Sequence, residues 1–191
     1  MLELAILGLL KEGSMHGYQL SKRLTEALGG FWRVSYGSLY PTLRRLEVAG
    51  AVEQVSSDPL IARRKTVYRI TEKGEKLFIQ LLEEVGTDSA TEDTRFRIRL
   101  AFFRYLAPAT RIRVLERRRA SLEERLSSIS RSLTGAAAAD DPYTRSLMQH
   151  GRDALEQDIE WLDGLIAAER RLMTTTGGTR PRSLRRKERL T

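Results

Sequence analysis

The spacing of apolar residues changes between Ala51 and Thr71, and this change constrains the fold more than any other feature of the chain. Upstream of it, apolar residues recur at helical spacing in three successive segments. These segments cover residues 2–12, residues 17–28 and residues 38–49. Within 51–71, apolar and polar residues alternate as they do in β-strands. The order predicts three short helices followed by a two-stranded hairpin.

The predicted hairpin has its turn and its charges in the same place. Val52 and Val55 belong to the first strand, and Thr66, Tyr68 and Ile70 belong to the second. Asp58-Pro59, between the two strands, is a turn signal. Three consecutive basic residues, Arg63, Arg64 and Lys65, lie at the tip. Thr71 is suited to be the N-cap of a further helix over residues 73–85.

The segment Tyr36–Gly50 predicts an amphipathic helix after a polar turn at residues 35–38. Its apolar stripe is formed by Leu39, Leu43 and Leu46, extended by Val48, and Gly50 is a helix stop signal. The opposite face carries hydroxyl and guanidinium donors of the kind that DNA phosphates and base edges accept from. These donors are Ser38, Tyr40, Thr42, Arg44 and Arg45.

Residues after 92 predict a helical C-terminal half. The stretch 95–105 fits a strand or a helix, and its helical surroundings favour a helix; Pro108 suits the first turn of the next one. Helices over about 110–133 and 142–173 carry apolar residues with a seven-residue period, which is typical of coiled-coil seams. We expect a twofold dimer through this seam. The dimerisation residues are Leu115, Leu122, Leu126, Ile129, Leu155, Ile159, Leu162 and Ile166.

Composition narrows the class of protein. The 191 residues contain no Cys and two His, with a net charge of +8. Residues 1–86 contain 12 basic and 10 acidic side chains, whereas residues 177–191 contain 6 and 1, so most of the excess lies in a basic tail that we expect to be disordered. The apolar N-terminus is too short to span a bilayer. We expect a cytoplasmic protein without membrane contact.

Catalysis has little support in the sequence. His16 and His150 are isolated from each other and from any nucleophile, and we find no glycine-rich phosphate loop and no cluster of metal ligands. We therefore expect no enzyme activity, no metal and no cofactor.

Five strings in the predicted order match a known family. LAILGLL, MHGYQL, GSLYPTLRRLEVAG, VYRITEKGEKL and the long helical C-terminus resemble the PadR family of bacterial transcriptional regulators, in its longer-tailed subgroup. The resemblance implies a mainly α protein with a winged helix-turn-helix and a two-stranded wing. It also implies a homodimer that binds a pseudo-palindromic operator, usually as a repressor. The domains are then 1–86 for DNA binding, 87–92 as linker, 93–176 for dimerisation and 177–191 as tail.

Roles follow from the match and from side-chain chemistry. The resemblance places Tyr18 and Gln19 on the second helix, and Ser38, Tyr40, Pro41 and Thr42 at the start of the recognition helix. Arg44 is suited to a base contact because a guanidinium can donate two hydrogen bonds to guanine. The alternative is that Arg44 or Arg45 only solvates the exposed side of the helix. We expect Arg63, Arg64 and Lys65 to contact phosphates or the minor groove. We expect Tyr18 and Lys22 to contact the DNA backbone. For Tyr18, packing in the core is an equal alternative.

A small-molecule effector is harder to place. Trp32, Phe103 and Trp161 are candidates to line an apolar pocket, and ordinary packing is the alternative. A second hypothesis is an anionic effector that is bound by arginines between residues 95 and 119. Glutamates lie among these arginines, so ion pairs on a solvated surface are the favoured alternative. The alternative function for the whole chain is a helical adaptor that binds proteins without reading DNA.

Overall fold

A computed structural model of the protein describes residues 1–28, 36–55, 66–84, 89–134 and 141–177. The chain forms two compact units, Met1–Ala107 and Pro108–Thr191. Most of the described residues are helical, and a small antiparallel sheet lies in the first unit. This confirms the mainly α fold class.

The helices of the first unit surround one buried helix. Its helices, as far as the structure describes it, are α1 (Leu2–Glu12), α2 (Gly17–Leu28), α3 (Tyr36–Val48), α4 (Glu72–Glu83) and α5 (Ser89–Ala101). Every residue of α1 from Leu4 to Leu10 is buried, because α2, α3, α4 and α5 all contact it. A helix that is apolar on all sides needs such complete cover. The polar turn predicted at residues 35–38 is wrong for its last three residues, which form the first turn of α3.

The sheet has three strands, whereas the sequence predicts two. The strands are β1 (Met15–His16), β2 (Val52–Val55) and β3 (Val67–Ile70), in the order β1-β3-β2. Both pairs are antiparallel, and Gln54 on β2 lies opposite Tyr68 on β3. β1 was missed because two residues are too few to show an alternating pattern. The predicted strand pair is confirmed as β2–β3, and β1 adds a short third strand on the other edge of β3.

The end of α3 and the start of α4 meet at a single junction. Gly50 has φ +70° and its N–H donates to Glu47 O at 2.8 Å, which is the left-handed C′ position that the sequence predicts. Thr71 accepts a hydrogen bond from Gly74 N–H at 3.1 Å as the predicted N-cap, and it donates to Gly50 O at 2.7 Å. A Cβ at Gly74 would lie 2.0 Å from Ala51 O, so only glycine allows this approach. The junction fixes the direction of α3 relative to the sheet.

The segment after α4 belongs to the first unit. α5 begins at Ser89, so the linker predicted at 87–92 overlaps a helix, and the first unit extends to Ala107. Its start is held by a buried ion pair between Glu92 and Arg99, 2.7 Å apart. The ambiguous stretch 95–105 is helical and ends in a 3₁₀ turn at Phe103–Tyr105.

Phe102 anchors this segment against α1. A Cβ at Gly8 would lie 2.5 Å from the Phe102 ring, so the glycine makes room for the aromatic side chain. The Phe102 ring also meets Phe78 of α4 edge to face, with ring centroids 5.9 Å apart. Edge-to-face pairs of this kind add to the energy of burial. The hydrophobic core of the first unit thus includes residues well beyond the predicted boundary at 86.

The second unit is a hairpin of two long helices, as far as it is described. They are α6 (Pro108–Thr134) and α7 (Pro142–Gly177), and α6 begins at the proline that the sequence predicts for its first turn. Ion pairs join the two helices along the hairpin: Arg111 to Glu169 at 2.9 Å, and Arg119 to Asp163 at 2.6 Å. Asp141 caps α7, and hydrogen bonds from the Thr144 side chain and backbone lower the pKa of its carboxyl group.

None of the described helices combines the length and the hydropathy needed to cross a bilayer.

Candidate nucleic-acid interface

α3 has one buried face and one exposed face. Leu39, Leu43 and Leu46 are at most 2% exposed and attach the helix to the core. The exposed residues recur at helical spacing on the opposite side, and we call them the α3 outer face. They are Gly37, Tyr40, Pro41, Arg44, Arg45 and Val48.

The two arginines of the α3 outer face differ in their contacts. Arg44 is exposed, and no hydrogen bond or ion pair within the described residues engages its guanidinium. Arg45 lies 3.4 Å from Glu3 of α1 and 3.3 Å from Thr42 Oγ1. Arg44 can therefore bind a ligand without breaking an existing contact, whereas Arg45 must exchange one.

Thr42 is not on the exposed face, which corrects its predicted role as a reading residue. It is 4% exposed, and its hydroxyl donates to Ser38 O at 2.8 Å within α3. The same hydroxyl accepts a hydrogen bond from Arg45. Position 42 lies beside the buried stripe on the helix, next to Leu46, and packing against the rest of the unit covers it. Thr42 therefore holds the Arg45 guanidinium, while Ser38 is exposed at the helix start as predicted.

The start of α2 lies beside the start of α3. A Cβ at Gly17 would come within 3.0 Å of the Tyr40 ring, so glycine permits this approach. Tyr18 is 65% exposed, which excludes the core-packing alternative. Gln19 Oε1 accepts a hydrogen bond from His16 N–H at 3.0 Å and caps the helix. Lys22 is exposed, 3.8 Å from Glu26.

A groove runs between the α3 outer face and the sheet. It has a volume of about 760 Å³, and its walls include Arg44 and Val48 on one side and Gln54 and Tyr68 on the other. Burial raises the pKa of Tyr68, and the charge of Glu47 raises it further, so the phenol remains a neutral donor at physiological pH. Sequence reasoning missed Glu47, Gln54 and Tyr68 as residues of this groove. Glu47 lies on α3, and the strand register places Gln54 opposite Tyr68.

Several predicted site residues lie outside the described residues. These are the basic wing residues Arg63, Arg64 and Lys65, the pocket candidate Trp32, and the tail from residue 178 onwards. The other two pocket candidates lie in different units. Phe103 is buried in the first unit and meets Phe96 edge to face, with ring centroids 6.3 Å apart. Trp161 lies on α7 in the second unit and is 45% exposed. The effector pocket stays a prediction.

The predicted dimerisation residues contact each other within one chain. Leu115 and Leu122 on α6, and Leu155, Leu162 and Ile166 on α7, are at most 6% exposed where the two helices pack. Leu126, Ile129 and Ile159 are half-buried. The seven-residue period thus has a partner in the hairpin itself, which the sequence could not distinguish from a second copy.

α7 carries a second apolar stripe, whose side chains are exposed in the described part of the chain. Steps of 4, 7, 7 and 11 residues keep its members on one side of the helix, and we call them the α7 outer face. They are Tyr143, Leu147, Ala154, Trp161 and Leu172. Leu147 is 71% and Tyr143 is 84% exposed. Apolar stripes of this kind on a soluble helix mark interaction surfaces.

The described residues contain no catalytic arrangement. His16 lies in β1 with a buried Nδ1 that has no hydrogen-bond partner, and His150 is exposed on α7. Within the ranges that the structure describes, no group of His, Asp and Glu is arranged to hold a metal ion.

Helices α2 and α3 followed by the strand pair β2–β3 define a winged helix-turn-helix, a class of fold found in regulators of transcription. Residues 6–80 match the family model described as "Transcriptional regulator PadR-like family", and residues 94–169 match the model "Virulence activator alpha C-term". Residues 6–80 thus form a domain of the PadR-like family of transcriptional regulators. The proteins that this family model describes are regulators of transcription and not enzymes.

Individual relatives are similar over most of their length. The "Negative transcriptional regulator PadR" of Bacillus subtilis is 24% identical over 174 residues, which cover 87% of this chain and 96% of that protein. The "Probable transcriptional regulator Rv1176c" of Mycobacterium tuberculosis is 27% identical over 184 residues, covering 86% and 95%. A crystal structure of Bacillus subtilis PadR in complex with operator DNA is similar with a TM-score of 0.42 and 21% identity, covering 87% of this chain and 97% of that one.

Proposed function

We propose that the protein binds operator DNA with the α3 outer face in the major groove and regulates transcription from there. The observation that carries this proposal is the position of Arg44. Its guanidinium is exposed and has no hydrogen bond or ion pair to any residue that the structure describes, while the leucines behind it attach the helix to the core. A guanidinium presented in this way can donate two hydrogen bonds to a guanine edge.

The surroundings of α3 supply backbone contacts. Tyr18 and Lys22 are exposed on α2, and Ser38 is exposed at the start of α3, where helix N–H groups favour phosphate. We assign Arg63, Arg64 and Lys65 at the wing tip to phosphates or the minor groove on the basis of their charge. These contacts fix the register on DNA, whereas Arg44 contributes the sequence preference.

A homodimer forms part of the same proposal. The α7 outer face exposes aromatic and aliphatic side chains on a helix of 36 residues. A second copy can cover this face with the same face of its own α7, in a twofold arrangement. Two copies of α3 would then bind the two halves of a pseudo-palindromic operator.

We further propose that the chain acts as a repressor and that a small molecule modulates it. The repressor role is supported by similarity to a relative that is named a negative regulator. Trp32, Phe103 and Trp161 remain the candidate residues for contact with such a molecule. Quenching of tryptophan fluorescence by a candidate ligand, together with a loss of DNA binding, tests this part.

Selection of DNA from a random pool tests the central proposal. We expect the protein to enrich a pseudo-palindromic sequence with a guanine in each half. Fluorescence anisotropy on that sequence should give an affinity at least about 10³-fold above that for scrambled DNA. Failure to enrich any sequence, with a folded protein, would overturn DNA reading and leave the adaptor alternative.

Analytical ultracentrifugation tests the dimer. Leu147→Glu places a charge on the α7 outer face at a position that is 71% exposed, and it should convert a dimer into a monomer. Gln149→Glu adds the same charge at an exposed position on another side of the helix and should leave the dimer intact. A Leu147→Glu protein that remains dimeric would contradict the assignment of the interface to this face.

A further inference from the structure

Val48 has no evident role in folding. It is 86% exposed, the highest value among the large hydrophobic residues that the structure describes. A β-branched residue also costs a helix slightly more than alanine or a straight-chain residue would. The position therefore carries an apolar side chain that gains no burial within the chain.

Val48 belongs to a set of three on the α3 outer face. Pro41, Arg44 and Val48 follow each other at steps of three and four residues, and all three line the groove beside the sheet. Arg44 is thus flanked along the helix by an apolar side chain on either side. The charged centre would draw this face towards DNA, and the two flanking residues would then be brought against base edges.

The major groove contains one apolar group that distinguishes the bases, the C5-methyl of thymine. We propose that Pro41 and Val48 contact thymine methyl groups on the two sides of a guanine bound by Arg44. This inference rests on the proposed DNA binding and specifies what the helix recognises. It turns an exposed valine into a determinant of sequence preference.

The helix geometry restricts where the thymines lie. A rise of about 1.5 Å per residue puts Pro41 about 4.5 Å and Val48 about 6 Å from Arg44 along the helix axis. Base pairs follow each other at about 3.4 Å. Each thymine should therefore lie one or two base pairs from the guanine, on either strand.

Deoxyuridine substitution tests the inference, because deoxyuridine differs from thymidine only by the missing methyl group. The selected operator is synthesised with deoxyuridine at each thymine within two base pairs of the guanine, and binding is measured by anisotropy. We expect about fourfold weaker binding of the wild-type protein at each contacted methyl. Val48→Ala should bind the thymine operator more weakly and lose the difference between thymine and uracil at one position. Pro41→Ala should lose it at the other.

Two further proteins serve as controls. Ile79→Ala removes a side chain of similar size that is 36% exposed on α4, and it should keep the full difference between thymine and uracil. Val48→Thr keeps the shape but replaces one methyl by a hydroxyl, and it should reduce the difference.

The outcomes separate this inference from the function on which it rests. Equal binding to thymine and uracil operators by the wild-type protein overturns the methyl contacts while leaving DNA binding intact. The same conclusion follows if Val48→Ala retains the difference, or if the selected sequence has no thymine within two base pairs of the guanine. Absence of any selected sequence overturns the proposed function instead.

Discussion

The outer faces of α3 and α7 differ although their inner faces are alike. Both helices bury leucines and other aliphatic residues against their own unit. Outward, α3 presents Arg44 and Arg45, whereas α7 presents Tyr143, Leu147 and Trp161. The inner faces are alike because burying them removes apolar surface from water, which stabilises each unit. The outer faces are exposed in the described part of each unit, and we propose that they bind partners, DNA for α3 and a second copy for α7.

The difference also separates two kinds of binding energy. Arginine contacts with a polyanion depend on salt because counterions are released on binding. Burial of an apolar stripe depends little on salt and scales with the area covered. The comparison can therefore be tested by changes that affect only one face, or only the inner side of one helix.

The largest effect should come from the buried side of the hairpin. Leu122→Ala removes a side chain that is 1% exposed, and the free energy of unfolding should fall by about 2–5 kcal/mol in urea denaturation. Leu147→Ala, on the α7 outer face, should reduce dimerisation far more than the stability of the hairpin. Equal destabilisation by both changes, at a concentration where both proteins are monomeric, would remove the distinction between the two faces.

The second largest effect should be that of salt, which should weaken DNA binding by the α3 outer face much more than dimerisation through the α7 outer face. Raising the salt concentration from about 50 to 200 mM should weaken operator binding by about 100-fold, since several phosphate contacts are lost together. The dissociation constant of the dimer, measured by ultracentrifugation, should change by less than about twofold, because apolar burial is not screened. Salt-insensitive DNA binding would show that phosphates are not the main contacts.

The two arginines of the α3 outer face should differ in effect. Arg44→Ala should weaken binding to the selected operator by about 1–3 kcal/mol and relax the preference at one base position. Arg45→Ala should cost less and affect all sequences alike, since Arg45 is already engaged by Glu3 and Thr42. Anisotropy with operator and scrambled DNA measures both, and a reversed order would move the reading role to Arg45.

The smallest effect should come from Thr42. Thr42→Val keeps the shape but loses the hydrogen bonds to Ser38 O and Arg45, so we expect a stability loss of about 1 kcal/mol. Sequence preference should be unchanged, because the side chain is buried. A changed preference in a DNA selection would return Thr42 to the reading surface.

Much of the first unit could be predicted because its signals are local. Helix periodicity, the Gly50 stop and the Thr71 cap depend on residues close in sequence, and α1, α2 and α4 begin within about a residue of their predicted starts. The exposed residues Tyr40 and Arg44 followed from the same periodicity, whereas Pro41 was assigned by the resemblance to the PadR family. β1 and the groove residues Gln54 and Tyr68 did not, since strand pairing joins residues that are far apart in the chain.

The sequence by itself determined which surfaces are apolar and which are charged, because periodicity fixes the face of a helix to which each side chain belongs. It could not say what covers each face. The seam of α6 and α7 fits a second copy as well as it fits the hairpin, and only the tertiary structure assigned it to the hairpin and left the α7 outer face exposed. The tertiary structure likewise decided that Thr42 is buried and Arg44 is exposed, because burial depends on packing partners that lie elsewhere in the chain.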